Sequence, residues 1–273
     1  MTVRSSPRIE WLHAGFILTK NAMRVPVSQS ARLVLRLYLA AMTCLAAGAA
    51  YSLEIRDRPN AVVELFTSQG CPPCPAADQL LSRMSDENNV IALAYHVNYW
   101  DYTGWADTFA ISANGELQKA YASASGTNRL YTPQMIVNGA RSMAGSNAEE
   151  VLDALAEADL ALSMDVEAES QDVVILRAGP RSGLGAAVVW LVAFRNSAEV
   201  EVTGGDNMGQ RLSYSHIVTS RQPVGMWDPS SGAEIRIPVP EALGPDNDGF
   251  ALIIQEKNGA LPGRILGAAA VMR

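Results

Sequence analysis

The run Gly70-Cys71-Pro72-Pro73-Cys74 constrains this chain more than any other feature of its sequence. It joins Ala61–Thr67 (AVVELFT), which reads as a buried strand, to a stretch from about Ala76 to Met84 with helical apolar spacing. Two cysteines separated by two residues at a helix start bring their sulfurs close enough to bond. The outer one, Cys71, is expected to be exposed at the helix end, where backbone N–H groups and the dipole favour a thiolate. Cys74, expected deeper, is placed to resolve a mixed disulfide. A purely structural role is weak, because closing so short a loop stabilises by only ~2 kcal/mol. A zinc site would have to recruit His96 and His216, at a spacing that matches no known zinc module; a Cu(I) site on the two thiolates stays open. Neither Pro72 nor Pro73 can donate an N–H to a thiolate. Pro75 disfavours helical geometry at Cys74 and suits a first helical position, so the helix is expected to begin there.

Strand and helix patterns alternate as far as residue 162. Val90 to Val97 reads as a second strand, Ile111 to Ala124 as a helix, and Gln134 to Val137 as a short strand ended by the turn pair Asn138-Gly139. Another strand follows, to about Ala144. Ser146 to Leu160 reads as a helix, with Asn147 as cap and Glu149 and Glu150 in its first turn. That order belongs to an α/β sandwich. Beyond residue 162 helix signals fade, and short strand-like runs recur between Gly, Pro, Asn and Asp clusters. The expected organisation is therefore an α/β domain over residues 51–162 followed by an all-β, sandwich-like domain over 163–273.

Residues 1–50 have a different texture. Six basic residues and one acid lead into the uncharged run Leu37–Ala50, which ends in small residues. Basic flank, apolar centre and small-residue end are the order of a secretory signal peptide, with Ala47-Gly48-Ala49 as cleavage box and Met23 as a candidate start. The apolar run falls short of the roughly 20 residues of a bilayer span, against the alternative of an uncleaved anchor. Cys44, preceded by Thr43, resembles a lipoprotein cysteine poorly. Loss of this segment takes the net charge from −7 to −12. An acidic chain without basic runs argues against nucleic acid or an anionic membrane as partner. It would keep only Cys71 and Cys74, too few for a disulfide-stapled scaffold. Export to the periplasm or beyond, with no stable membrane span after cleavage, is the expectation.

A second motif lies 59 residues after Cys74: Tyr131-Thr132-Pro133-Gln134-Met135-Ile136-Val137, a Thr-Pro opening a short apolar strand. A strand can hold Pro133 only at its first residue or at an edge. His96 ends an apolar strand and opens an aromatic stretch of Tyr99, Trp100, Tyr102 and Trp105. It could stabilise a thiolate, bind a metal or satisfy a backbone carbonyl, and the aromatics could line a groove or pack as a lid. Glu64 sits on the strand leading into the dithiol, facing either the interior or solvent. His216 lies in a β run and reads as structural.

Val63-Glu64-Leu65-Phe66-Thr67-Ser68-Gln69-Gly70-Cys71, Ala94-Tyr95-His96-Val97-Asn98-Tyr99-Trp100-Asp101 and Thr132-Pro133-Gln134 resemble an uncharacterised family of secreted bacterial thioredoxin-like proteins, known only as a domain of unknown function. Gly205-Asp206-Asn207-Met208-Gly209-Gln210-Arg211-Leu212 and Ile265-Leu266-Gly267-Ala268 resemble it too, so the likeness spans roughly residues 58–271. It implies a thioredoxin-like fold, a cis bond before Pro133 beside the dithiol, and a buried acid, Glu64, able to take the proton of the second cysteine. Members usually carry small polar residues between the cysteines, and Pro72 and Pro73 depart from that. The resulting expectation is an exported thiol–disulfide oxidoreductase acting through Cys71, Cys74, Pro133, Glu64 and His96, with no bound cofactor. Its partners would be protein or small-molecule thiols and disulfides and a redox partner that resets the dithiol. The alternative is a non-enzymatic module that binds copper or a protein.

Overall fold

The computed structural model describes residues 53–273; the expected signal segment, including Cys44 and the cleavage box, lies outside the described residues. Those described form a mixed α/β unit built on one large sheet with few helices. The strands are β1 (Glu54–Arg56), β2 (Ala61–Thr67), β3 (Val90–His96), β4 (Gln134–Val137), β5 (Arg141–Ala144), β6 (Asp165–Ala168), β7 (Val173–Ala178), β8 (Ala187–Glu201), β9 (Arg211–Trp227), β10 (Ala233–Pro238), β11 (Gly249–Asn258) and β12 (Leu261–Met272). The helices are α1 (Cys74–Ser85), α2 (Ser112–Ala124), α3 (Ala148–Ala156) and the short α4 (Val239–Leu243).

Nine strands share the main sheet in the order β1-β12-β11-β8-β9-β3-β2-β4-β5, and β10-β7-β6 form a second sheet. The boundary expected at residue 162 is therefore crossed by hydrogen bonding. β9 runs parallel to β3 through the pair Ala94–Ile217, and the described residues belong to one compact unit. The late strands β8, β9, β11 and β12 extend the sheet begun by β2, β3 and β4, and β6, β7 and β10 pack as a second sheet against that late part of it. The seam is narrow. His216, at φ 46°, sits beside it, and its ring hydrogen-bonds the Ala92 carbonyl oxygen over 2.9 Å. A left-handed histidine is uncommon but tolerated, and here the ring replaces a ladder bond.

Alternation along the strands sorts residues to the two faces. On one face Val63 and Leu65 meet Ala77, Leu80, Leu81 and Met84 of α1 and Val151 and Ala154 of α3. Further along the same chain Val189, Leu191, Leu252 and Val271 pack with Val174, Leu176 and Ile237 of the second sheet. On the other face Val62, Phe66, Leu93, Tyr95 and Ile136 meet Tyr121 of α2. α1 starts at Cys74, one residue earlier than expected, with Pro75 at its second position and no side-chain cap on its first turn. In α3 the Asn147 side chain accepts from Glu150 N–H, as expected of a cap.

Candidate functional site

The dithiol loop connects the C-terminal end of β2 to α1. Cys71 and Cys74 are joined as a disulfide, with their Cα atoms 5.4 Å apart. Contrary to the expectation of an exposed Cys71, both cysteines are fully buried, while Pro72 and Pro73 are exposed. The loop is held from three directions. Gly70 packs so closely on Trp100 that a Cβ there would lie 3.2 Å from the Trp100 Cβ. Gln69 donates its backbone N–H to Asp107 Oδ2 over 2.8 Å, and its side-chain oxygen accepts from the Trp105 ring at 2.8 Å. Asn207, at the tip of the β8–β9 hairpin, donates from Nδ2 to the carbonyl oxygens of Gln69 (2.9 Å) and Cys71 (3.0 Å) and is itself buried. The hairpin reaches the loop because Gly204 and Gly205 pass against Gly104 and Trp105. A Cβ at position 204 would lie 2.7 Å from the Gly104 carbonyl oxygen. The segment 205–212, notable in the sequence without a role, thus clasps the dithiol loop.

The Thr132–Pro133 bond is cis, as the resemblance implied for a Thr-Pro strand start downstream of the dithiol. Pro133 is buried at the head of β4, and its carbonyl oxygen accepts from Gly145 N–H. Trp100, which packs on Gly70, also donates its ring N–H to Thr132 Oγ1 over 2.7 Å. The proline loop and the dithiol loop therefore share one aromatic side chain. Within the aromatic stretch, Trp100 and Trp105 are spent on such bonds and Tyr102 is exposed.

His96 lies at the end of β3, paired in register with Thr67, and is fully buried. Its Nδ1 hydrogen-bonds Asp107 Oδ2 over 2.8 Å, whereas its Nε2 is buried with no hydrogen-bond partner. The rings of Phe109 and Tyr214 pack edge-on against it. Burial pushes the Asp107 carboxyl up, but bonds from His96 and from the Gln69 and Phe109 N–H groups outweigh this and hold it below the ordinary range.

The acid nearest the dithiol along α1 is Asp78, one helical turn after Cys74 and therefore on the same side of the helix. Asp78 is 3% exposed, and both of its carboxylate oxygens lack a hydrogen-bond partner of good geometry. Burial raises its pKa to about 7, against the opposing influence of His96 and the nearby Thr67 hydroxyl. A group so tuned can take up or release a proton near neutral pH. The expectation had assigned the buried acid to Glu64. Glu64 is buried, but alternation along β2 turns it to the opposite face from α1, so the structure does not bring it to the cysteines. There it accepts from Tyr121 Oη over 2.5 Å, and Tyr121 Oη accepts from Gln255 Nε2 over 2.7 Å. Arg221 donates to Gln255 Oε1 over 2.6 Å. Burial raises the Glu64 pKa while the Arg221 charge opposes it.

His216 is spent on the seam and lies apart from His96, and burial lowers its pKa. Among the described residues no group of three or more His, Cys, Asp or Glu side chains is arranged to hold a metal ion. Asp78, Asp107 and Tyr214 escaped the sequence reading, and Asn207 entered it only within a resembling segment that had no role. Of the three, Asp78 carried a signal there, an acid four residues after Cys74 on a largely apolar helix face.

Residues 62–255 match the family model described as "Protein of unknown function (DUF1223)". A crystal structure of protein AGR_C_4864 from Agrobacterium tumefaciens is 33% identical, with a TM-score of 0.68 over 79% of this chain and 95% of that one. HBP35 of Porphyromonas gingivalis is 14% identical, with a TM-score of 0.52 over 78% of this chain and 74% of that one, a likeness of fold alone. No curated protein matches the chain.

Proposed function

We propose, for a chain that belongs to the protein family of unknown function DUF1223, that it is an exported thiol–disulfide oxidoreductase with a thioredoxin-like arrangement around Cys71 and Cys74. The observation that carries this reading is a Cys-x-x-Cys disulfide at a strand-to-helix junction, followed one turn later by a buried, unpartnered carboxylate whose pKa is about 7. Export is supported by the signal-like segment and by the disulfide, which persists in oxidising compartments. Among the described residues no helix is long and apolar enough to cross a membrane.

In the reducing direction the Cys71 thiolate attacks one sulfur of a substrate disulfide and releases the other as a thiolate, forming a mixed disulfide. Cys74 gives its proton to the Asp78 carboxylate, and the Cys74 thiolate attacks the Cys71 sulfur. The second substrate sulfur leaves as a thiolate, and the protein keeps the disulfide seen here. Two electrons pass to the substrate, and a separate redox partner supplies two more to reduce the disulfide back to the dithiol. The oxidising direction is the same sequence reversed. His96, locked through Nδ1 to Asp107, keeps a free Nε2 in the same buried polar group and positions Asp78 electrostatically. Pro133, whose loop Trp100 ties to Gly70, shapes the groove that receives the substrate. Because both cysteines are buried in the oxidised form, substrates gain access only when the loop shifts, and Asn207 is the bond to be released.

The test is disulfide exchange with glutathione and a model protein disulfide, with the reduction potential read from the equilibrium. Turnover that vanishes in Cys71→Ala is the expected result. A folded protein whose disulfide neither exchanges nor accepts electrons rejects the reading. Burial of both sulfurs favours a second reading, a non-enzymatic module; tight one-to-one anaerobic Cu(I) binding without exchange activity would establish it.

A further inference from the structure

The late strands leave a half-open cavity of about 640 Å³ beside α2, on the sheet face that carries Glu64. That is within the range of small-molecule sites, roughly 300–1,000 Å³. Its wall is mostly apolar, with Leu117 and Ala120 from α2, Val188 and Trp190 from β8, Pro223 from β9 and Leu261 from β12. The charged groups lining it are Arg221, Lys257 and Glu256. Glu256 is engaged by Arg264 at 3.2 Å, so the acid of the site is already paired.

Arg221 is the distinguishing feature. Its guanidinium stacks over the Trp190 ring at 3.6 Å, which fixes its plane, and it donates one bond, to Gln255 Oε1. Its Nε is buried with no hydrogen-bond partner. Gln255 has no capacity left for a ligand, since its Nε2 serves both Tyr121 Oη and the Gly263 carbonyl oxygen. Lys257 is exposed at the rim and makes no ion pair among the described residues. A guest thus meets apolar walls and two cations, Lys257 and Arg221, the latter a rigid fork suited to a carboxylate whose charge also acts on the buried Glu64.

We infer that this cavity binds an apolar molecule bearing a carboxylate, with the hydrocarbon body against Trp190, Leu117 and Ala120 and the anionic head at Arg221 and Lys257. Such a site is independent of the dithiol chemistry, and Arg221 links it through Gln255 and Tyr121 to the buried Glu64.

The test is calorimetric titration of the protein with dodecanoate and with dodecyltrimethylammonium, both below their micelle concentrations. The tails match and the heads are opposite in charge. One dodecanoate is expected per chain, with the cation bound about tenfold more weakly or not at all. Ala120→Trp, which fills an open cavity without touching the polar chain, should abolish dodecanoate binding at unchanged melting temperature. Lys257→Glu, at an exposed position, should weaken dodecanoate severalfold and narrow the preference between heads. Equal affinity for the two heads overturns the inference, as does dodecanoate binding that survives Ala120→Trp. So does a dimer, seen by sedimentation, that Ala120→Trp disrupts while neither amphiphile binds.

Discussion

Glu64 and Asp78 are both almost wholly buried, one on each face of the large sheet, at 1% and 3% exposure. Glu64 is embedded in partners: Tyr121 donates to it, Gln255 supports Tyr121, and Arg221 supplies a compensating charge. Tyr95 lies beside that group with its hydroxyl unpartnered, and burial raises its pKa and that of Tyr121 well above the ordinary value. Asp78 has Thr67, His96 and Tyr214 for neighbours, yet no hydrogen bond of good geometry reaches its oxygens. A buried acid that holds a short hydrogen bond and has a cation nearby helps specify the packing around it, whereas one left without a hydrogen bond is costly to keep charged and therefore ready to change protonation. On the proposed reading the first serves structure and the second chemistry, although from composition alone they are the same kind of residue.

The sharpest way to break this contrast is at the cysteines. Cys74→Ala should leave Cys71 able to trap substrates as mixed disulfides on a non-reducing gel, while Cys71→Ala should trap few or none, and neither should turn over. Equal trapping by the two would mean that their order at the start of the helix does not distinguish their roles.

Next in size is Asp78→Asn, which should slow resolution of the mixed disulfide by about 10²-fold or more, the range of a lost general base. It should also change how stability depends on pH. The folded pKa, about 7, lies above the ordinary 3.8, so the native state holds the proton more tightly than the unfolded chain. Native stability attributable to this group is complete below about pH 4 and falls as pH rises to about 7. Asp78→Asn should therefore be more stable than the parent at pH 8, by up to roughly 4 kcal/mol from the pKa difference, and should lose that advantage by pH 4. Denaturant unfolding of the oxidised proteins at the two pH values measures it. A variant less stable at pH 8 would show that Asp78 is satisfied after all.

Glu64→Ala should act in the opposite sense. Removing the carboxylate leaves Arg221 and the tyrosines without their buried partner and should cost about 3–5 kcal/mol of unfolding free energy. Exchange activity per folded molecule should stay close to the parent value. A large loss of exchange in a folded Glu64→Gln would return the proton-accepting role to Glu64.

The smallest effect is expected at the clasp. Asn207→Ala removes two hydrogen bonds to the dithiol loop, worth about 1–3 kcal/mol together. Reduction of the disulfide by dithiothreitol should then accelerate roughly five- to a hundredfold by the same figure. An unchanged rate would show that the hairpin tip does not govern access.

The sequence alone determined much of the local structure, for reasons that are local. Apolar runs and turn pairs marked β2, β3, β4, α1 and the Thr-Pro strand start because strand and helix periodicities are written residue by residue. The Cys-x-x-Cys spacing by itself placed two sulfurs within bonding reach, and the Thr132–Pro133 bond is cis as the motif led us to expect. What only the tertiary structure decided depends on groups far apart in the chain. The late strands read as a sandwich of their own, but β9 pairs β3 through Ala94 and Ile217, and no periodicity announces a pairing across more than a hundred residues. Cys71 read as exposed because nothing local covers it, yet it is buried in a loop that Asn207 clasps from 136 residues away. Glu64 read as the acid of the site because it precedes the dithiol on the same strand. Strand alternation and the placement of α1 turn it to the other face, and the buried acid on the side of the cysteines is Asp78, whose pKa is a property of burial that only the assembled fold creates.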